Sequence, residues 1–106
     1  MPFLELNGLA EREPFPGCHV RFVHSANMSF AHWNFDPGAT IPAHAHPHEQ
    51  VATMIQGELE LTVEGETRRM TAGSIAIIPS NARHTCRALT RVHVIDAFYP
   101  IREDYR

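Results

Sequence analysis

The apolar residues of this chain recur in short runs that alternate with polar positions at the period of a β-strand. The run LELTV at 59–63 is the clearest example, because its leucines and its valine alternate with a glutamate and a threonine. Successive side chains of a strand point to opposite faces, so this run predicts a strand with one buried and one wet side. No stretch carries a long helical period with capping residues. The pattern therefore predicts an all-β fold.

Turn residues divide the chain into strands of similar length. Pro37 and Gly38 form a tight turn, and a hairpin turn is expected at 64–66. Gly57 separates two apolar runs, and Pro79 ends another. The segments predicted as strands are CHVRFVHS, MSFAHWNF, QVATMIQ, ELELTVE, GSIAII and, as a pair, TCRALTRVHVIDAFYP. Short strands at this regular spacing are typical of a β-sandwich or barrel.

Length and charge narrow the function. At 106 residues the chain is too short for two ordinary domains, so we predict a single domain over 1–106 with an N-terminal arm at 1–17. The formal net charge is −3 and no basic face is clustered, which favours small molecules over nucleic acid or membrane as partners. No signal segment or membrane-length apolar run is present, which predicts a soluble cytoplasmic protein. Cys18 and Cys86 stand outside any CxxC and are predicted to be reduced thiols.

The segment HAHPHEQ at 44–50 places three histidines within five positions. Residues two apart on a strand face the same side, so His44 and His46 are predicted to project their imidazoles into one space, about 6–7 Å apart along the backbone. Gln50 follows a proline that interrupts the strand, so its amide oxygen can return to the same centre. His84 begins a strand that is expected to lie beside the first. Together, His44, His46, Gln50 and His84 predict a metal site.

Three neutral imidazoles and an amide suit a borderline divalent ion, namely Ni, Fe(II), Mn, Zn or Co. Because no ligand is anionic, the ion would keep its full charge and act as a Lewis acid on a carboxylate or enolate. Gln50 has an alternative role, a hydrogen bond to water beside a three-histidine site. His48 and Glu49 are predicted to be solvated turn residues. For His32 and His93, both an exposed position and a position facing the cavity stay open.

These residues resemble the two sequence motifs of the cupin family. The first motif, at 38–57, reads Gly38, five residues, His44-x-His46, three residues, Gln50, six residues, Gly57, with Gln50 where Glu is usual. The second, at 73–88, reads Gly73, five residues, Pro79-x-Asn81, two residues, His84, with Asn81 for the usual Gly and Ala88 for the final Asn. The resemblance implies a double-stranded β-helix, or jelly-roll barrel, that holds the metal on His44, His46, Gln50 and His84. It also implies a homodimer.

A narrower resemblance lies in HAHPHEQ and the tail DAFYPIREDY. Both are similar to the small cupins of pectin and alginate breakdown that linearise 4,5-unsaturated monouronates, in which the last strand carries Asp-x-Phe-x-Pro-x-Arg. The resemblance makes Asp96 the candidate acid–base group, Arg102 the partner of the substrate carboxylate and Phe98 a dry wall of the pocket. Where those enzymes carry an aromatic residue after the glutamine, this chain has Thr53, which is expected to change the pocket.

Three functions stay open at this stage. The first is a metal-dependent, isomerase- or lyase-like enzyme that opens and tautomerises an unsaturated uronate or a similar small carboxylate. The second is a three-histidine metal oxygenase, and the third is a non-catalytic module that binds a sugar or an anion. Asp96 has a plain hydrogen-bonding role as its alternative. Arg102 has a salt bridge to Glu103, Asp104 or a partner subunit.

Overall fold

Ten β-strands in two antiparallel sheets make up the protein, seen here in a computed structural model that describes residues 2–106. The strands are β1 (Arg12–Phe15), β2 (Cys18–His24), β3 (Ser29–Phe35), β4 (Thr40–His44), β5 (Glu49–Gln56), β6 (Leu59–Val63), β7 (Glu66–Met70), β8 (Ile75–Ile78), β9 (His84–Ala88) and β10 (Val92–Tyr99). The sheet orders are β1-β2-β3-β10-β5-β8 and β4-β9-β6-β7. Short 3-10 helices span Leu6–Gly8 and Glu103–Tyr105. The predicted all-β jelly-roll architecture is confirmed.

The core lies between the two sheets because their inward positions are apolar. On β6, Leu59 and Leu61 are buried while Glu60 between them is half-exposed, as the alternation predicted. On β10 the buried residues alternate in the same way from Val92 to Phe98. Each fully buried large apolar side chain stabilises the fold by about 1.5–3 kcal/mol. Among residues 2–106, six buried polar residues interrupt this core, namely Ser29, His46, Gln50, His84, Asp96 and Arg102.

Two turns use the left-handed backbone conformation that glycine adopts without strain. The predicted hairpin turn joins β6 to β7 through Glu64 and Gly65, whose φ angles of 47° and 81° match the two-residue turn preferred by twisted strands. Gly57 has a φ of 92°, and a Cβ atom there would lie 2.0 Å from the carbonyl oxygen of Arg91. Any other residue at position 57 would therefore force the chain apart.

The outer face of the six-stranded sheet carries His32 and His93. His93 alternates with buried residues along β10. His32 lies on β3 opposite Ile95 of β10, which points to the same side of the sheet as His93. Both rings therefore face outward, which excludes the alternative that they face the cavity. Thr53 also points outward between the buried Ala52 and Met54, so the expectation that it changes the pocket is wrong. Within residues 2–106, no helix is long and apolar enough to cross a membrane.

Candidate metal centre and adjoining cavity

Three histidines meet between the two sheets. His44 ends β4 and lies directly opposite His84, which begins β9, as the sequence predicted. The ring centroids are 4.3 Å apart for His44 and His84, 5.0 Å for His46 and His84, and 5.6 Å for His44 and His46. One nitrogen from each ring lies within 4.8 Å of the others. This cluster can hold a metal ion.

The route by which His46 reaches the cluster differs from the prediction. Strand alternation was expected to align the two rings, but β4 ends at His44, and its pairing with β9 is irregular between Ile41 and His44. His46 therefore follows the strand rather than continuing it. The rings converge because the chain turns towards β5 at this point. A regular strand period could not have predicted that turn.

Backbone carbonyls fix the tautomer of all three rings. The distances from Nδ1 to the carbonyl oxygen are 2.8 Å for His44 and Pro42, 3.0 Å for His46 and His48, and 2.8 Å for His84 and Ala82. A carbonyl only accepts, so each Nδ1 donates and each Nε2 keeps its lone pair, as in metal-binding histidines. The Nε2 atom of His84 is buried and has no partner among residues 2–106. Such an orphaned acceptor fits a cation.

Electrostatics keep two of these rings neutral. Burial lowers the pKa of His46 to about 4, with further lowering by the nearby Arg102 charge. Burial also lowers the pKa of His84. Both imidazoles are therefore in the unprotonated form that ligates metals at neutral pH.

Gln50 connects the histidine cluster to a buried carboxyl group. It lies on β5, and its Oε1 atom is 3.0 Å from the Nε2 atom of His46. Because Nδ1 of His46 carries the ring proton, Nε2 of His46 and Oε1 of Gln50 are both acceptors. A cation between them would relieve their repulsion. The same amide faces Asp96 and favours the ionised form of its carboxyl group. Direct ligation by Gln50 stays a prediction.

Asp96 lies on the neighbouring strand β10 and is buried among these groups. Burial raises the pKa of Asp96 from 3.8 to about 7, against the opposing effects of Gln50, Trp33 and Arg102. The Nε1 atom of Trp33 faces this region and has no hydrogen bond of ordinary geometry within the described chain. A carboxyl group that titrates near neutrality can both give and take a proton.

Asp96→Asn is expected to remove a pH dependence of stability from the metal-stripped protein. The folded wild type binds a proton that the unfolded chain lacks between about pH 4 and about pH 7, so its stability falls as pH rises through that window. Asparagine stays neutral, so the variant gains roughly 2–4 kcal/mol on the wild type by about pH 8. Urea unfolding with a chelator at about pH 5.5 and pH 8 measures the difference. An equal difference at both pH values would contradict the assigned pKa.

Arg102 is held over the cavity by aromatic rings. Its guanidinium lies 4.7 Å from the Phe98 ring centroid and 4.8 Å from that of Tyr105. The Nε and Nη2 atoms of Arg102 donate to the two carboxylate oxygens of Asp104, at 3.0 Å and 2.7 Å. The salt bridge to Asp104, one of the alternatives considered for Arg102, is thus formed. Phe98 also meets the His46 ring edge-on at 5.6 Å.

The cavity beside these residues has about 710 Å³ of atom-free space, part of it open to solvent. Its polar lining includes Gln50, His84, Asp96 and Arg102, and its apolar wall includes Phe22, Trp33, Phe35, Leu59 and Val94. A mixture of an apolar wall and a few convergent polar groups is typical of sites for small molecules. Cys86 also lines it, but burial raises the pKa of this thiol to about 12, so it stays protonated. Both cysteines are free, as predicted.

Comparison with known proteins assigns the family. The model of the cupin domain (Cupin_2) matches residues 31–98, which include every histidine of the cluster. The chain belongs to the cupin family. The pectin degradation protein KdgF of Dickeya dadantii (strain 3937) is 34% identical to this cupin over 74 residues, which make up 68% of this chain and 67% of that protein.

Two solved structures extend the likeness to the whole cupin. KdgF from a Halomonas species superposes with a TM-score of 0.92 at 29% identity, covering 100% of this chain and 99% of that one. An RmlC-like cupin from Shewanella frigidimarina NCIMB 400 superposes with a TM-score of 0.93 at 27% identity, covering 100% and 96%. The resemblance to small cupins of pectin breakdown is confirmed.

Sequence reasoning missed several residues that shape the site. Trp33 and Phe22 lie on strands outside the two motifs, and no local pattern marks them as cavity residues. Tyr105 stood in the recognised tail, yet nothing in that tail indicated that its ring would stack on Phe22 at 4.4 Å. Such contacts depend on how distant strands pair.

Proposed function

We propose that this cupin is a metal-dependent enzyme that opens the ring of a 4,5-unsaturated uronate, or a similar small carboxylate, and tautomerises the product. The observation that carries the proposal is the placement of Asp96. Its buried carboxyl group faces the amide of Gln50, whose oxygen points into the histidine cluster. An acid–base group and a Lewis-acid centre therefore share one cavity. The likeness to pectin degradation proteins supports this choice of substrate.

The substrate is a cyclic hemiacetal whose ring oxygen belongs to an enol ether beside a carboxylate. His44, His46, Gln50 and His84 would hold a divalent ion, whose Lewis acidity would polarise the ring oxygen or hold the carboxylate. Ring opening breaks the bond between the anomeric carbon and the ring oxygen while the proton of the anomeric hydroxyl passes to that ring oxygen, which leaves an aldehyde and an enol. Tautomerisation then moves the enol proton to carbon and gives a keto acid. Asp96 is assigned the transfer of that proton from oxygen to carbon.

Arg102 and Phe98 complete the assignment. The guanidinium of Arg102 binds the substrate carboxylate through paired hydrogen bonds, a geometry that its planar fork allows. Phe98 lies between this guanidinium and His46 and excludes water from the reacting atoms. Substrate orientation would therefore depend on Phe98 of β10 and on Arg102 in the segment that follows this strand.

The test is proton NMR of freshly generated 4,5-unsaturated monouronate mixed with metal-loaded protein. Spontaneous opening sets the baseline, and a chelated sample sets the metal-free rate. Faster loss of the ring signals in the metal-loaded sample alone is expected. A rate equal to the baseline in both samples would overturn the proposal. Oxygen uptake would then indicate an oxygenase, and saturable binding without turnover would indicate a binding module.

We also propose that two copies pair through the outer face of the six-stranded sheet. Ile55, Ile75 and Ile77 are 45%, 64% and 70% exposed on β5 and the edge strand β8. Exposed apolar patches of this kind mark interaction surfaces. The double variant Ile75→Lys with Ile77→Lys is expected to elute as a monomer where the wild type elutes as a dimer, measured by light scattering. Thr67→Lys on exposed β7 is the control that stays dimeric. A dimeric double variant would place the interface elsewhere.

A further inference from the structure

The segment at 100–105, which follows β10, is fastened to β2 and β3 by a chain of hydrogen bonds. The backbone N–H of Arg102 donates to Oγ of Ser29 at 2.8 Å, and that oxygen lies 2.7 Å from Nδ1 of His24. The Nε2 atom of His24 lies 3.3 Å from the carbonyl oxygen of Tyr105, to which it donates. Nδ1 of His24 therefore accepts the hydroxyl proton of Ser29. Every polar atom in the chain has a compatible role, so the backbone of Arg102 is fixed.

The guanidinium of Arg102 is fixed separately from its backbone. The rings of Phe98 and Tyr105 hold its plane, and Asp104 takes the edge formed by Nε and Nη2. The Nη1 atom has no partner among residues 2–106, so the other edge of the fork, formed by Nη1 and Nη2, stays available. The Arg102 side chain is 9% exposed and that of Asp104 is 54% exposed. The nearly buried guanidinium of Arg102 therefore has its counterion, Asp104, on the solvent side. Its free Nη1–Nη2 edge is not used by Asp104, and Arg102 itself lines the cavity.

We propose that Asp104 is a positioning residue that holds the Arg102 guanidinium so that its Nη1–Nη2 edge binds the substrate carboxylate. This inference rests on the proposed function and names a residue that acts through Arg102 without touching the substrate. Paired hydrogen bonds to a carboxylate require an aligned guanidinium plane, and Asp104 fixes the rotation of that plane about the end of the side chain. Loss of Asp104 leaves the plane held by ring contacts alone.

Electrostatic repulsion between Asp104 and an anionic substrate would give Asp104→Asn the opposite effect on binding. Asp104 is negative, so its removal would strengthen the binding of any anion nearby if repulsion were its main influence. Its exposure weakens such repulsion through solvent and salt screening. Positioning predicts weaker binding in Asp104→Asn, whereas repulsion predicts tighter binding. The sign of the change therefore decides between them.

The first measurement is NMR of the arginine side chains in the whole protein. The Nε–H proton of Arg102 is expected to give a slowly exchanging correlation near neutral pH, assigned by its loss in Arg102→Lys. Asp104→Asn should abolish it, and Asp104→Glu should restore it in part. The control is Glu103→Gln, because Glu103 is exposed, adjacent, and paired with Arg106 instead. Retention of the correlation in Asp104→Asn would overturn the positioning role.

The second measurement is binding and turnover. Asp104→Asn is expected to weaken binding of a saturated uronate about 10-fold, and to raise KM for the unsaturated uronate by a similar factor, with kcat within about twofold. A neutral methyl ester of the saturated uronate should bind both proteins equally. Unchanged or tighter uronate binding in Asp104→Asn, with wild-type turnover intact, would overturn this inference and leave the proposed function standing. Absence of wild-type uronate binding and turnover would overturn both.

Discussion

Asp96→Asn is expected to lower the metal-dependent rate of uronate ring opening by about 10²–10⁴-fold, the usual contribution of a positioned acid–base group. Asparagine has nearly the same shape and still accepts a hydrogen bond from the Gln50 amide, but it cannot take up and return a proton. The loss should therefore fall on kcat, while KM changes little. Proton NMR of substrate consumption, with metal content measured for each protein, gives both quantities.

The control for this substitution is Asp36→Asn. Asp36 lies just beyond the C-terminal end of β3, where it is half-exposed and pairs with His19 and Arg91. The same chemical change there should leave turnover within about twofold, because exposed ion pairs contribute little. If Asp96→Asn kept the wild-type rate with its metal bound, Asp96 would have only the plain hydrogen-bonding role.

His84→Ala is expected to weaken divalent metal binding by at least about 100-fold, because loss of a ligand exceeds the 10–100-fold cost of losing an outer-shell partner. Metal at about 100 times its dissociation constant stabilises the folded wild type by about 2.7 kcal/mol. For a chain of this length that corresponds to a rise of roughly 10–20 °C in Tm. Thermal unfolding with and without added metal measures this rise, which the variant should lack.

Each protein is compared with itself with and without metal. The stability lost by truncating the side chain therefore cancels from the metal-induced change in Tm. His93→Ala provides the matched control, because His93 is a histidine on the outer face of β10. It should keep the full metal-induced rise in Tm. An equal rise in His84→Ala would remove His84 from the ligand set and contradict the three-histidine centre.

Much of the fold and the site followed from local patterns. Alternation of apolar and polar residues predicted strands such as β6, because one face of the strand packs against the core and the other faces water. Spacing predicted His44, His46 and His84 as partners, and the structure brings their rings together. The route of His46 was not predictable from strand alternation, because β4 ends at His44 and the chain turns there towards β5. Alternation predicts the direction of a side chain only while the strand continues.

Other features depend on contacts between distant segments. The high pKa of Asp96 comes from burial, which depends on how the strands pack around it and not on the residues beside it in the sequence. The outward direction of Thr53 follows from the phase of β5, which becomes certain only once Gln50 is seen to point inward. The sequence named Asp104 as one of three partners for Arg102, and only packing selects it.

The edge strand β7 of the four-stranded sheet and the edge strand β8 of the six-stranded sheet expose different kinds of side chain. The edge strand β7 carries three charged residues, Glu66, Arg68 and Arg69, which discourage a passing strand from adding to it. The edge strand β8 instead exposes Ile75 and Ile77, and it has an unpaired row of backbone groups. A copy in which this edge stays uncovered therefore offers a template for strand addition and aggregation. Solubility during purification would thus depend on concentration and on how completely β8 is covered.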